Sequence, residues 1–227
     1  MKSAAWLAAV VLLVGCVTSH QPSKQQYDLG DFDALRHGSG ALAVNAAIRD
    51  VNQPSWLRTR GIFYRLDYVA PSRPQRYALS EWVATSGELI TFRLREAVAS
   101  ANAGLTLPTP TGAGSYVLQT DLEEFTQAFT APAKSHCIVQ LRATLSRTDR
   151  VVGQRVFRIE NPAQTPDANG AAVCLAAAVD RAADDIIEWL RNEVAGAPSG
   201  DAPLSQTSAI ATLIESSAKS ARQAPIW

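Results

Sequence analysis

Residues 137–145, Cys-Ile-Val-Gln-Leu-Arg-Ala-Thr-Leu, have the clearest alternation of apolar and polar side chains in the chain. Apolar side chains recur at every second position, and successive side chains of a strand point to opposite faces of a sheet. The pattern therefore predicts a strand with one buried face, which comprises Cys137, Val139, Leu141, Ala143 and Leu145. Residues 151–160 follow the turn Thr148-Asp149-Arg150 and predict its antiparallel hairpin partner.

Three upstream stretches also predict strands. Residues 41–51 alternate until Pro54 ends the pattern, and residues 62–68 alternate after a turn. In the third stretch, the residues that share one face stand at even positions over 118–122, whereas Phe125 continues that face at an odd position. This change of parity predicts a β-bulge at Glu123-Glu124.

Two stretches have helical spacing instead. Apolar residues recur every three or four positions over 90–101, where Thr85 and Glu88 fit a capping box at the helix start. The same spacing returns over 172–190, and Gly196 ends it. The order of strands, helix, strands and helix predicts a single α+β domain, with a mainly antiparallel sheet and two long helices packed on one face.

The first fifteen residues have the three parts of an export signal: a basic start at Lys2, an apolar stretch over 4–14 and a small residue at Gly15. The apolar stretch is shorter than the roughly 20 residues of a membrane-spanning helix. Leu13-Val14-Gly15-Cys16 resembles the lipobox of bacterial lipoprotein precursors. It predicts cleavage before Cys16 and a diacylglycerol on the thiol, traceable with palmitate. An ordinary signal peptide with an incidental cysteine is the alternative.

The residues after Cys16 bear on location. An aspartate directly after the cysteine commonly retains such lipoproteins at the inner membrane, but Val17 and Thr18 stand there. We therefore expect the lipid anchor to hold the protein in the outer membrane, facing the periplasm. The chain divides into a signal peptide (1–15), a lipidated tether (16–26), a folded domain (27–196) and a flexible C-terminal tail (197–227).

Composition narrows the classes of partner. Lysine plus arginine number 21, as do aspartate plus glutamate, so no net charge attracts nucleic acid and we expect none to bind. Two cysteines remain besides the anchor, Cys137 and Cys174. In the oxidising periplasm we expect them to form a disulfide, with two separate buried thiols as the alternative.

Residue types that carry catalysis or bind metals are sparse. His136 precedes Cys137, but neighbours on a strand point to opposite faces, which disfavours an activated thiol. No histidine or cysteine cluster has zinc-ligand spacing, and residues 112–115 lack the lysine of a phosphate-binding loop. We interpret Glu123-Glu124 as a solvated bulge rather than a catalytic carboxylate pair. We therefore expect no enzyme activity, no metal and no cofactor.

Arginines and aromatic residues are densest over 56–82. Guanidinium groups pair well with phosphate, and aromatic rings are common in protein interfaces. The candidates for lipid or partner contact are Trp56, Arg58, Arg60, Arg65 and Trp82. We favour a second reading, in which the aromatic rings pack under a sheet edge while the arginines are solvated.

Several short motifs, in this order, resemble the ABC-type transport auxiliary lipoproteins, with the paraquat-inducible protein C branch as the first to compare. They are Tyr27-Asp28-Leu29-Gly30, Ile62-Phe63-Tyr64-Arg65, Tyr77, Trp82, Asp121-Leu122 with Phe125, and the closing helix with Trp189. The resemblance covers residues 27–195, while the cysteine pair and the long tail depart from the family pattern.

The resemblance implies a non-catalytic accessory beside an ABC transporter and a mammalian-cell-entry type protein, in a system that moves lipids and maintains the envelope. Whether the protein also forms a homo-oligomer stays open. Two alternatives remain. One is an outer-membrane assembly or secretion-accessory lipoprotein, and the other, an envelope hydrolase, is disfavoured because no catalytic triad is evident.

Overall fold

The structure is a computed structural model that describes residues 23–31, 46–101, 115–148 and 150–196. These residues form seven strands, two long helices and a one-turn 3-10 helix at Ser55–Leu57. In chain order the elements are β1 (Gln25–Tyr27), β2 (Ala46–Ile48), β3 (Gly61–Leu66), β4 (Pro74–Trp82), α1 (Ser86–Ala101), β5 (Tyr116–Ala131), β6 (Lys134–Arg147), β7 (Arg150–Pro162) and α2 (Ala168–Gly196).

All seven strands belong to one sheet, in the order β1-β4-β3-β5-β6-β7, with β2 also paired to β5. The long pairs β5–β6 and β6–β7 are antiparallel, as is β3–β4. The pairs β1–β4, β2–β5 and β3–β5 are parallel, each over three residues. The predicted α+β class is confirmed, with a mixed sheet in which the longest pairs are antiparallel.

Strand β5 organises the sheet. Its whole length pairs with β6 on one side, while β2 and then β3 occupy its other side. The register slips between Leu122 and Glu124, which confirms the bulge predicted at Glu123-Glu124. The slip lets buried positions switch from the 118–122 parity to that of Phe125 while the strand continues.

One face of the sheet is covered by both helices and holds the core. Helix α2 lies against β5, β6 and β7, and α1 lies against α2 and β2. The residues at 137, 139, 141, 143 and 145 are all buried in this core, as the alternation predicted. The opposite face carries charged side chains, and we call it the open face.

Side-chain caps fix where both helices begin. Thr85 and Glu88 form the predicted capping box: the Thr85 amide donates to Glu88 Oε2 at 2.8 Å, and the Glu88 amide donates to Thr85 Oγ1 at 3.4 Å. Asp167 caps α2 by accepting from the Gly170 amide at 2.8 Å. This hydrogen bond lowers the pKa of Asp167, with a smaller contribution from Thr165.

Two predicted boundaries differ from the structure, and one strand was not predicted. Gln25 and Gln26 belong to β1, so the tether is shorter than the predicted 16–26. Strand β2 ends at Ile48, although the chain still follows β5 as far as Asn52, which bridges to Asp121. Strand β4 was not predicted, because its side chains do not alternate cleanly between buried and exposed. Residues 41–45 and 197–227 lie outside the described residues.

Candidate functional site

The chain enters the domain at a cluster that we call the tether corner: Lys24, Gln26, Arg60 and Glu81. Glu81 accepts from Lys24 Nζ at 3.1 Å and Gln26 Nε2 at 3.4 Å, and it pairs with Arg60 Nη2 at 2.8 Å. The hydrogen bond from Lys24 is the main cause of a lowered pKa at Glu81. These contacts fix β1 on the edge of the sheet, nine residues after Cys16. Cys16 itself lies outside the described residues.

A buried arginine fastens the segment after β1. Arg93 lies on α1 with 2% of its surface exposed. Its Nη2 donates to the carbonyl oxygens of Leu29 at 3.0 Å and Gly30 at 2.7 Å, and its Nη1 pairs with Asp180 Oδ1 of α2 at 2.5 Å. One side chain thus joins both helices to the start of the domain, in an arrangement that we call the Arg93 clamp.

The position of Arg93 in the sequence was a signal for this clamp, although the spacing within the helix does not identify its partners. Arg93 lies three residues after Ile90 and four before Ala97, so it falls on the buried stripe of α1. A charged residue on such a stripe requires a buried partner. The partners are carbonyl groups and a carboxylate that are distant in the sequence, so spacing within the helix could not identify them.

The predicted contact residues do not form one surface. Trp82 is fully buried, since it belongs to the core and packs on Phe125 with ring centroids 5.5 Å apart. The prediction that Trp82 contacts a lipid or partner is therefore wrong. Arg60 precedes β3 and joins the tether corner, whereas Arg65 lies near the other end of the strand and pairs with Glu124 at 2.6 Å.

The other two predicted contact residues belong to the 3-10 helix Ser55–Leu57 and its C-cap. Trp56 is 39% exposed and packs edge-on against Phe63, with ring centroids 5.2 Å apart. Arg58 donates from Nε to the carbonyl oxygen of Gln53 at 3.3 Å. Contact of Trp56, Arg58, Arg60 and Arg65 with a lipid or partner stays a prediction.

The carboxylates of the bulge are ion-paired on the open face. Glu123 accepts from Gln140 Nε2 at 2.5 Å and from Arg142 Nε at 2.7 Å. The hydrogen bond from Gln140 is the main cause of the lowered pKa of Glu123, and Arg142 lowers it further. Glu124 pairs with Arg158 at 3.1 Å in addition to Arg65. Both carboxylates are therefore ion-paired with arginines and belong to one network of charged and polar side chains on the open face.

The two cysteines are joined. Cys137 and Cys174 form a disulfide with their Cα atoms 5.9 Å apart, which confirms the predicted pairing. Cys137 is buried on the covered face, whereas His136 lies on the open face, where its Nε2 is 3.9 Å from Glu160. The predicted divergence of these neighbours is confirmed, and the sulfur of Cys137 is bound in the disulfide.

The described part of the chain has neither a cluster of metal-binding side chains nor a membrane-spanning helix. Among its residues, no group of three or more histidine, cysteine, aspartate or glutamate side chains could hold a metal ion. Its helices include none that is both long and apolar enough to cross a bilayer.

An aromatic side chain outside the predicted contact residues is exposed on α1. Phe92 lies off the buried stripe and is 65% exposed. It lines two clefts, one of about 270 Å³ beside Asp50 and Gln53, and one of about 220 Å³ beside Asp28 and Gly30. The sequence did contain a signal that Phe92 is exposed: it lies outside the apolar stripe of the helix, where a polar residue is usual.

These features define the class of protein: a single α+β domain that its chain enters through an edge strand, close behind a lipobox-like cysteine. The family model described as ABC-type transport auxiliary lipoprotein component matches residues 27–187 of the sequence. The chain therefore belongs to the ABC-type transport auxiliary lipoprotein family, as the motifs indicated. No curated protein matches it.

Solved structures share the fold. A Xanthomonas campestris protein of the DUF330 family aligns with a TM-score of 0.60 at 14% identity, over 76% of this chain and 94% of that one. A second, uncharacterized protein aligns with a TM-score of 0.57 at 15% identity, over 74% of this chain and 99% of that one. At such identities these likenesses concern the fold and not the function.

Proposed function

We propose that a lipid on Cys16 anchors this protein in the outer membrane, and that it works in the periplasm as a non-catalytic accessory of a lipid transport system. That system would combine an ABC transporter with a mammalian-cell-entry type protein and maintain the cell envelope. Family membership supports the transport role in its general form.

The observation that carries the proposal is the short distance from the lipobox-like cysteine to the first strand. Cys16 and Gln25 are nine residues apart in the sequence, and a fully extended segment of that length spans at most about 30 Å. The tether corner and the Arg93 clamp then attach the segment that follows to the sheet and both helices. A domain held in this way suits a coupling component that works close to a membrane.

A non-catalytic role is supported by the way the domain uses its reactive groups. The two cysteines of the domain form a disulfide, and the carboxylates of the bulge are paired with arginines. Each group thus has a structural use in this domain.

Lipid labelling tests the anchor. In cells fed radiolabelled palmitate, we expect label on the wild-type chain and none on Cys16→Ser, which keeps Cys137 and Cys174 as a matched control for the other cysteines. The mature chain should begin at Cys16 and fractionate with the outer membrane. Unlabelled wild type, or a mature chain that begins elsewhere, would contradict the anchor.

Co-purification tests the role. The lipidated protein should bring down a mammalian-cell-entry type protein when it is extracted in mild detergent. Recovery of a β-barrel assembly component or a secretin in its place would support the assembly or secretion alternative and overturn the transport role.

A further inference from the structure

Phe92 is an exposed apolar side chain that lies between two clefts. A single exposed apolar side chain is ordinary on a protein surface. Here the ring lines both clefts, and the half-buried Leu89 adds apolar surface in the second. A partner could fill both recesses and enclose the ring. Interface hot spots are commonly aromatic side chains that a partner encloses in this way.

Hydrogen bonds fix the wall of the first cleft to α1. Gln53 Oε1 accepts from the Gly87 amide at 2.9 Å, and Thr91 Oγ1 accepts from the Val51 amide at 2.8 Å. These bonds tie the segment after β2 to the first turns of the helix.

The Arg93 clamp fixes the wall of the second cleft by holding Leu29 and Gly30 against the same helix. Both recesses are therefore formed before any partner arrives, which lowers the entropic cost of binding.

The rim of this surface is acidic. Among the described lining residues the carboxylates are Asp28, Asp31, Asp50, Glu88 and Glu96. The guanidinium groups are those of Arg93, which is buried and pairs with Asp180 and, at 3.6 Å, with Glu96, and of Arg95, which pairs with Asp50 at 2.8 Å. A surface with this excess of negative charge attracts a basic protein and repels anionic lipid head groups.

We propose that this face, Phe92 with its two clefts and acidic rim, is the docking surface for the mammalian-cell-entry type component. The matching surface would be an apolar pocket for the Phe92 ring, flanked by lysine or arginine side chains. The identity of the partner rests on the function proposed above, whereas the location and chemistry of the surface rest on the geometry of α1.

Site-specific photo-crosslinking in cells tests the location. Benzoylphenylalanine replaces Phe92 in the full-length lipidated chain, and the same replacement at Val173 of α2 is the matched control. Val173 is 55% exposed and lines neither of the two clefts. We expect an ultraviolet-dependent adduct with the tagged mammalian-cell-entry type protein from position 92 and none from position 173.

Binding measurements test the chemistry. With purified lipidated protein and the periplasmic part of the partner, Phe92→Ala should weaken binding about tenfold or more, and Val173→Ala should leave it unchanged. The double variant Asp31→Lys with Asp50→Lys should also weaken binding, mostly at low salt, because exposed charges are screened within about 10 Å at 0.1 M. Unchanged thermal unfolding of the variants would show that the fold is retained.

Each outcome separates the two proposals. Co-purification with no adduct from position 92, or unchanged affinity of Phe92→Ala, would overturn the docking surface while leaving the transport role standing. An adduct of position 92 with a second copy of the chain would overturn it in favour of self-association. If no mammalian-cell-entry type protein co-purifies, the transport role fails, and the choice of partner fails with it.

Discussion

The two faces of the same sheet are built from opposite kinds of chemistry. On the covered face, strands β5 and β6 bury an apolar core against α2 and close it with a disulfide. On the open face, the same strands carry ion pairs between carboxylates and arginines, such as Glu123 with Arg142 and Glu124 with Arg158. Neighbouring residues divide between them, Cys137 facing the core and His136 the open side.

The two faces contribute unequally to the free energy of unfolding. Burial of apolar surface contributes about 25 cal/mol per Å², whereas exposed ion pairs contribute ~0–1 kcal/mol each. The covered face should therefore determine stability. The open face can change its charges at little cost to the fold.

The largest expected effect tests this comparison directly. Phe125→Ala, on the covered face against Trp82, should lower the free energy of unfolding by about 3–5 kcal/mol, because it leaves a cavity in the core. Val156→Ala is the matched control on β7, where the side chain is 41% exposed, and should change it by less than about 0.5 kcal/mol. Urea unfolding of the two variants measures both values, and similar losses would contradict the division between faces.

The second effect concerns the disulfide that closes the covered face. Its cysteines are 37 residues apart, and a loop of that length implies a stabilisation of about 4 kcal/mol, mainly by restricting the unfolded chain. Cys137→Ala with Cys174→Ala should therefore lower the urea midpoint, and a reducing agent should lower that of the wild type to a similar degree.

The double variant supplies its own control, since a reducing agent should leave its midpoint unchanged. A wild-type midpoint that does not move on complete reduction, verified by alkylation and mass spectrometry, would show that packing of α2 on β6 suffices without the bond.

The alternation over 137–145 predicted both faces because burial of one face imposes a two-residue period. The bulge was predictable for the same reason, as a change of parity between Leu122 and Phe125. Strand β1 was not, because three residues carry too little pattern, and its position depends on pairing with β4, far away in the sequence.

The candidate site was less predictable than the fold. The disulfide followed from cysteine count and compartment, but the burial of Trp82 depends on which face of β4 meets the core, and β4 itself was not evident. The Arg93 clamp depends on carbonyl groups, which have no sequence signature. The walls on either side of Phe92 come from segments after β1 and β2, so only the assembled fold brings them together.

On the open face, loss of the Glu123 charge should have only a small effect on stability. Glu123 has a pKa below its usual range when folded, chiefly through Gln140 and then Arg142. A lowered folded pKa means that the stabilisation is fully present above the unfolded pKa of about 4.3 and is lost as the pH falls through the folded pKa. Glu123→Gln should therefore cost at most about 1 kcal/mol from pH 7 to pH 5, and the cost should shrink below pH ~4.3.

Thr144→Ala is the control for this pH dependence, because Thr144 also lies on the open face, where it accepts from Gln154 at 2.8 Å, but does not titrate. Urea unfolding at several pH values should give a pH-independent difference for Thr144→Ala and a vanishing one for Glu123→Gln. A Glu123→Gln difference that persists unchanged in acid would mean that Glu123 acts through packing rather than charge. The open face would then resemble the covered one in the origin of its stability, and its charges could not vary as freely as the comparison implies.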